Sequence, residues 1–139
     1  DARSRGASVD TGGGRLPGPG WFWAPTVLGD APDDCRAANV EPFGPLALIR
    51  PFRDFDEAIA QANRLPFGLA AYAFTADLSR AFRVAERLEA GTVGINDAVP
   101  STSNCPFGGF KQSGWGRELG SEGLDAFLET KHVSIAGIR

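Results

Sequence analysis

The chain has no methionine, one histidine and two cysteines. Two cysteines cannot build a disulfide framework, and one histidine cannot build a histidine-rich metal site, so no metal is expected. A Ser-His-Asp triad would rest entirely on His132, close to the end of the sequence. Apolar runs such as Gly68 to Phe74 fall far short of the ~20 residues of a membrane span. No basic stretch followed by an apolar one opens the chain, so no secretory signal is legible and a cytoplasmic location is expected. A formal net charge of −3 leaves no footprint for nucleic acid or an anionic membrane. The phosphate-binding fingerprints are missing too. After Gly12 and Gly14 the third glycine would be residue 17, which is Pro17, and the Gly18 and Gly20 pair reaches Trp23. With Asp1 in place of a starting methionine, either the N-terminus is processed or the chain is a piece of something longer.

What is present is a chain of 139 residues, enough for one modest domain. Its apolar content of 42% and charged content of 22% suit a soluble globular protein rather than a disordered one. The 18 glycines and 10 prolines exceed the usual share and point to many turns, or to backbone that must approach something closely. Ala7–Asp10 reads as a short strand. Trp21–Leu28 is β-prone but interrupted by Pro25, and Leu46–Phe52 reads as a strand. Asp54 and Glu57 have capping-box spacing, and Phe55, Ala58, Ile59 and Ala62 predict a helix over 55–64. Leu69–Thr75 reads as an apolar strand buried on both faces. Asp77 should cap a helix with Leu78, Ala81, Phe82, Ala85 and Leu88 as its apolar stripe, ended by a left-handed Gly91. Thr92–Asn96 predicts a strand, 97–116 a long loop, Ser121–Leu128 a short helix and His132–Ile138 a terminal strand. This alternation predicts an α/β fold with a parallel sheet and crossover helices.

Two loops carry the candidate chemistry. In Glu41-Pro42-Phe43-Gly44-Pro45 a carboxylate suited to a pair of vicinal hydroxyls lies beside an aromatic that can pack on a flat ring. A tight turn with a buried phenylalanine is the plainer alternative. In Pro106-Phe107-Gly108-Gly109-Phe110-Lys111-Gln112-Ser113-Gly114-Trp115-Gly116-Arg117-Glu118 the glycines allow close backbone approach and the aromatics can wall a pocket. A surface loop with anchoring aromatics is the alternative there. Neither cysteine has the setting of a nucleophile. Cys35 follows Asp33 and Asp34, whose charge opposes a thiolate, and Cys105 has no base nearby in sequence.

Read together and in order, these segments resemble the C-terminal third of the NAD(P)-dependent aldehyde dehydrogenase superfamily. The resemblance runs through Asp1-Ala2, Gly6-Ala7, Gly12-Gly13, Pro25-Thr26-Val27-Leu28, the Glu41 to Pro45 motif, Ala62-Asn63, Gly68-Leu69-Ala70, Ala90-Gly91, Asn96, and the loop from Pro106 to Glu118. Within the superfamily, Phe67 to Tyr72, Asp77 to Arg80 and the length of the 96–107 loop are most similar to succinate-semialdehyde dehydrogenases. The resemblance implies NAD or NADP as cofactor, with Glu41 on the nicotinamide-side ribose and Phe43 near the nicotinamide. It implies that Phe107 lines the aldehyde tunnel and that Ser101 helps hold a distal substrate carboxylate, although Pro100-Ser101-Thr102-Ser103 departs from the usual residues there. It implies a charged contact of Arg117 and Glu129 near a subunit interface, and an oligomerisation strand from His132 in a homo-oligomer, dimer or tetramer. The family's nucleophilic cysteine, base glutamate, cofactor glycine turn and oxyanion asparagine would all lie upstream. No catalytic residue is therefore expected in this chain, which alone should be inactive. On this reading residues 1–118 are the C-terminal part of a catalytic domain acting on a small-molecule aldehyde, and 119–139 are a short helix with the oligomerisation strand. The alternative is a free-standing, non-catalytic association module with the same fold.

Overall fold

Strand periodicity is clearest in β2 (Thr26–Gly29), where Thr26 and Leu28 are buried while Val27 and Gly29 are only partly covered. The computed structural model describes residues 1–138 in two compact units, Asp1–Phe55 and the chain from Asp56 onward. In the first unit β2 is the central strand. It pairs antiparallel with β1 (Ser8–Thr11), with an irregularity between Val9 and Thr11. It pairs parallel with β3 (Leu46–Ile49), Thr26 opposite Leu46 and Gly29 opposite Ile49. The core of this unit is small: Ala2, Ala7, Leu28, Ala31 and Cys35, with Val9, Ala37, Ala38, Leu46 and Leu48 packed against it. Two 3₁₀ turns, Arg3–Arg5 and Arg36–Ala38, frame it. Asp1 joins them: its carboxylate accepts from Arg5 Nε at 2.8 Å and from the Arg36 N–H at 2.6 Å.

The second unit holds α1 (Phe55–Asn63, whose first residue closes the first unit) and α2 (Leu78–Arg87). Asp56 and Glu57 lie in the first turn of α1, where the exposed N–H groups favour negative charge. Asp77 caps α2, its side chain accepting from the Arg80 N–H at 3.1 Å. β5 (Ala70–Ala73) pairs parallel with β6 (Thr92–Ile95) across the α2 crossover. β4 (Phe67–Gly68) and β7 (Phe110–Lys111) form a two-residue antiparallel ladder. A 3₁₀ turn spans Glu122–Phe127.

The α/β class and the parallel β5–β6 pair across α2 agree with the sequence reading, whereas β3 pairs with β2 rather than with β5 and the strands lie in three small sheets rather than one. Pro25 has no N–H to give a ladder, so the expected strand over 21–28 begins only at Thr26, and Trp23 adds one isolated bridge to Arg15. β5 is not buried on both faces: it has one ladder neighbour, and its residues alternate between exposed and half-covered. The expected stripe on α2 splits, with Val84 buried but Leu78, Phe82 and Ala85 exposed. Gly91 is not a left-handed cap, because α2 ends at Leu88 with extended backbone. Its lack of a side chain serves close approach instead, since a Cβ there would stand 1.7 Å from the Gly108 carbonyl oxygen. The loop over 97–116 contains β7, and residues 129–138 form no strand, so the expected terminal strand is an irregular segment within this chain. No helix among the described residues is long and apolar enough to cross a membrane.

Candidate functional site

The Glu41 to Pro45 turn is made rigid by its own backbone. Gly44 N–H donates to the Pro42 carbonyl and Leu46 N–H to the Gly44 carbonyl, both at 2.8 Å, which closes two successive three-residue turns. The Pro45 carbonyl accepts from the Thr26 N–H at 2.8 Å and so fixes the turn to β2. On the other side, Val40 N–H donates to the Arg36 carbonyl at 2.8 Å. The result holds Phe43 outward, 95% exposed, so the buried-phenylalanine alternative does not apply. Glu41 is exposed, and its carboxylate has neither a hydrogen bond nor an ion pair among the described residues.

Glu41, Pro42 and Phe43 line one cavity of about 520 Å³ together with Val9, Gly13, Trp23, Thr26, Leu28, Arg36, Val40 and Leu46. The buried Thr26 hydroxyl organises its wall. It accepts from the Gly13 N–H at 2.8 Å and from Trp23 Nε1 at 3.1 Å, and donates to the Ala24 carbonyl at 2.7 Å. The sequence reading assigned Thr26 no role. The available signal was a hydroxyl at an inward position of an otherwise apolar strand, which needs partners once buried.

In the second unit Phe107 and Glu118 exchange both backbone hydrogen bonds, at 2.7 and 2.8 Å, and close the stem of a loop. Arg117 braces its interior, donating to the Gly109 carbonyl at 3.2 Å and the Gly116 carbonyl at 2.6 Å, with its guanidinium 5.6 Å from the centre of the Phe110 ring. A smaller cavity of about 300 Å³ is lined by Phe107, Leu69, Ser113, Trp115, Arg117 and Glu118 among others. Ser101 is exposed and does not line that cavity. Arg117 and Glu129 form no ion pair among the described residues; Nη1 of Arg117 donates to backbone carbonyls instead. Cys35 is fully buried, as a structural thiol should be, whereas Cys105 and His132 are exposed. Asn96, with φ +54°, closes the end of the β5–β6 sheet: it donates to the Thr75 carbonyl and accepts from the Thr75 N–H, both at 2.8 Å.

The fit of a nicotinamide dinucleotide can be judged on these features. An unengaged carboxylate offers acceptors to two ribose hydroxyls. An aromatic ring held out from its own backbone offers a face to a planar ring. The residues present therefore fit the nicotinamide riboside half of such a cofactor.

Residues 1–133 match the model of the aldehyde dehydrogenase family. The chain is 50% identical over 133 residues to an NADP(+) succinate-semialdehyde dehydrogenase of Deinococcus radiodurans, covering 96% of this chain and 28% of that protein. It is 45% identical over 133 residues to cytosolic aldehyde dehydrogenase 1 of Rattus norvegicus, covering 96% and 26%. Among solved structures, betaine aldehyde dehydrogenase of Staphylococcus aureus in complex with NAD+ is similar with a TM-score of 0.89 at 42% identity, over 95% of this chain and 27% of that one. The chain thus spans little more than a quarter of the length of these relatives.

Proposed function

We propose a function from the premise that this chain belongs to the aldehyde dehydrogenase family: it contributes cofactor- and substrate-facing segments to the oxidation of an aldehyde to a carboxylic acid by NAD+ or NADP+. The observation that carries this reading is the Glu41 to Pro45 turn, which places a free carboxylate and an exposed ring on the rim of one cavity. Glu41 would accept hydrogen bonds from the nicotinamide-side ribose and Phe43 would pack near the nicotinamide. The bound cofactor supplies a hydride acceptor. What this chain does for it is orientation, through a turn locked by two prolines and by its tie to β2. Neither segment supplies an attacking group. In a family-length protein, the nucleophile and base would come from outside residues 1–139, and this chain alone would be inactive.

The relatives' names range from succinate and glutarate semialdehydes to betaine aldehyde, so they favour no single aldehyde. We assign Phe107 to the wall of the aldehyde path and Ser101 to a distal carboxylate, with succinate semialdehyde as the substrate to test first. In a family-length protein carrying this sequence, Glu41→Gln should slow hydride transfer or weaken cofactor binding by about tenfold, the scale of one charged hydrogen bond. Unchanged kinetics together with unchanged cofactor affinity would overturn the assignment. Ser101→Ala should raise KM more for succinate semialdehyde than for an uncharged aldehyde, and an equal effect on both would remove the carboxylate role.

A further inference from the structure

The loop from Phe107 to Glu118 is closed on itself by its stem and by Arg117, but closure alone leaves it free to swing as one body. Beyond the packing of Gly108 on Gly91, its hydrogen-bonded ties to the rest of the unit are few. β4 and β7 pair over only two residues, Gln112 N–H donates to the Pro66 carbonyl at 2.9 Å, and Gly68 N–H donates to Ser113 Oγ at 2.8 Å. A ladder of that length is marginal in water.

Lys111 supplies the missing anchor. Its ammonium donates to the Asn63 carbonyl at 2.8 Å and to the Leu65 carbonyl at 3.0 Å, and stands 2.5 Å from a Glu89 carboxylate oxygen. Three donors meet three acceptors. The carbonyls are those of the last residue of α1 and of Leu65 just beyond it, at a helix end where unpaired acceptors and partial negative charge favour a cation. Asn63 carries the tie onward: its side chain donates to the Arg87 carbonyl at 2.7 Å and accepts from the Glu89 N–H at 2.9 Å, at the end of α2. One lysine thus fastens the loop to the ends of both helices. Its side chain is only 26% exposed, and its backbone holds φ +54°, a conformation that disfavours any residue but glycine.

We propose that Lys111 is a positioning residue: through β7 it fixes the loop that presents Phe107, and with it the width of the aldehyde path. The link to substrate rests on the function proposed above, whereas the anchoring does not. The test on the 139-residue chain is amide hydrogen exchange, with the amides of β2 and β3 in the other unit as internal control. Lys111→Met should speed exchange at Gln112 and Gly68, whose bonds join the loop to the unit, by about tenfold, the loss of one charge-assisted bond, and leave the stem amide of Phe107 and the amides of β2 and β3 unchanged. Lys111→Gly, which relieves the backbone but lacks the anchor, should be equally loose, and Lys111→Arg should restore most of the protection. Unchanged exchange in Lys111→Met, equal acceleration in both units, or a Lys111→Gly variant as tight as the parent would overturn the proposal. Should Lys111→Met not fold, Glu89→Gln decides: acceleration confined to the same two amides, Gln112 and Gly68, supports the anchor, and its absence overturns it. In a family-length protein, Lys111→Met should raise aldehyde KM severalfold with kcat nearly unchanged, following Phe107→Ala. If Phe107→Ala leaves KM unchanged while Lys111→Met loosens the loop, the substrate reading of Phe107 fails and the anchor stands.

Discussion

At the scale of single residues, Thr26 shows how a side chain can organise a site that it does not chemically serve. Its hydroxyl holds Gly13 and Trp23 against β2, and its backbone N–H holds the turn that carries Phe43. Thr26→Val keeps the shape and removes the acceptor, stranding two donors. The expected cost is about 1–3 kcal/mol, read by denaturant unfolding followed through tryptophan fluorescence. A change below a few tenths would mean that the two donors find other partners. Residue chemistry of this kind was only partly legible beforehand. Glu41 and Phe43 were legible because carboxylate, ring and turn residues are contiguous, so local rules suffice. Thr26 and Lys111 were not, because their partners are set by folding: Lys111 meets Asn63 across 48 positions, and no local pattern encodes that meeting. Gly91 was legible as special but for the wrong cause, since helix ends and close approaches both demand glycine.

At the scale of elements, both helices were readable from their apolar spacing and, for α2, from the acid that caps it. The strands were harder. Leu69 to Thr75 is apolar throughout, and composition reports what a strand can bury rather than what covers it here. The helices are also joined by charge. The Arg87 guanidinium donates a hydrogen bond to Asp56, and that bond and the Arg87 charge, with a lesser contribution from Arg83, lower the Asp56 carboxyl below its ordinary 3.8 against an opposing effect of desolvation. A carboxylate whose folded pKa is lowered contributes stability above its unfolded value and loses it as pH falls through the folded one. The pair is solvent-exposed, so the contribution is small. Asp56→Asn should therefore melt slightly below the parent at neutral pH, and the gap should close as pH drops below about 4. A gap that persists unchanged at low pH would show that the aspartate acts through something other than its charge.

At the scale of the whole molecule, the balance between core and surface sets the last expectation. The largest fully buried side chain is Cys35, whereas Trp21, Trp23 and Trp115 are all exposed, as are Phe43, Phe74 and Phe127. Apolar exposure on this scale in a chain of 139 residues marks surface made to be covered. The chain spans only 26 to 29% of the length of its family relatives, and in a protein of their length further chain is present that can supply such cover. The exposed residues continue past Glu118, where we place the change from catalytic segment to association segment, through Leu124, Phe127, Leu128, Val133 and Ile135. We propose that this last stretch, which contains Glu129 and follows Arg117 in the chain, faces a neighbouring subunit in a dimer or tetramer. On this proposal, a strand there would form only against a partner's backbone. Sedimentation equilibrium separates the two readings of the 139-residue chain. Surface made for cover predicts an average mass that climbs above 14.7 kDa with concentration, together with binding of an apolar fluorescent dye. A self-sufficient module predicts a monodisperse species of one mass that leaves the dye dark. Removing residues 129–139 should lower the association without abolishing dye binding, because the exposed tryptophans remain. If the truncated chain associates as strongly as the parent, the stretch from residue 129 onward is not the subunit contact, and the apolar surface of residues 1–128 must account for the association instead.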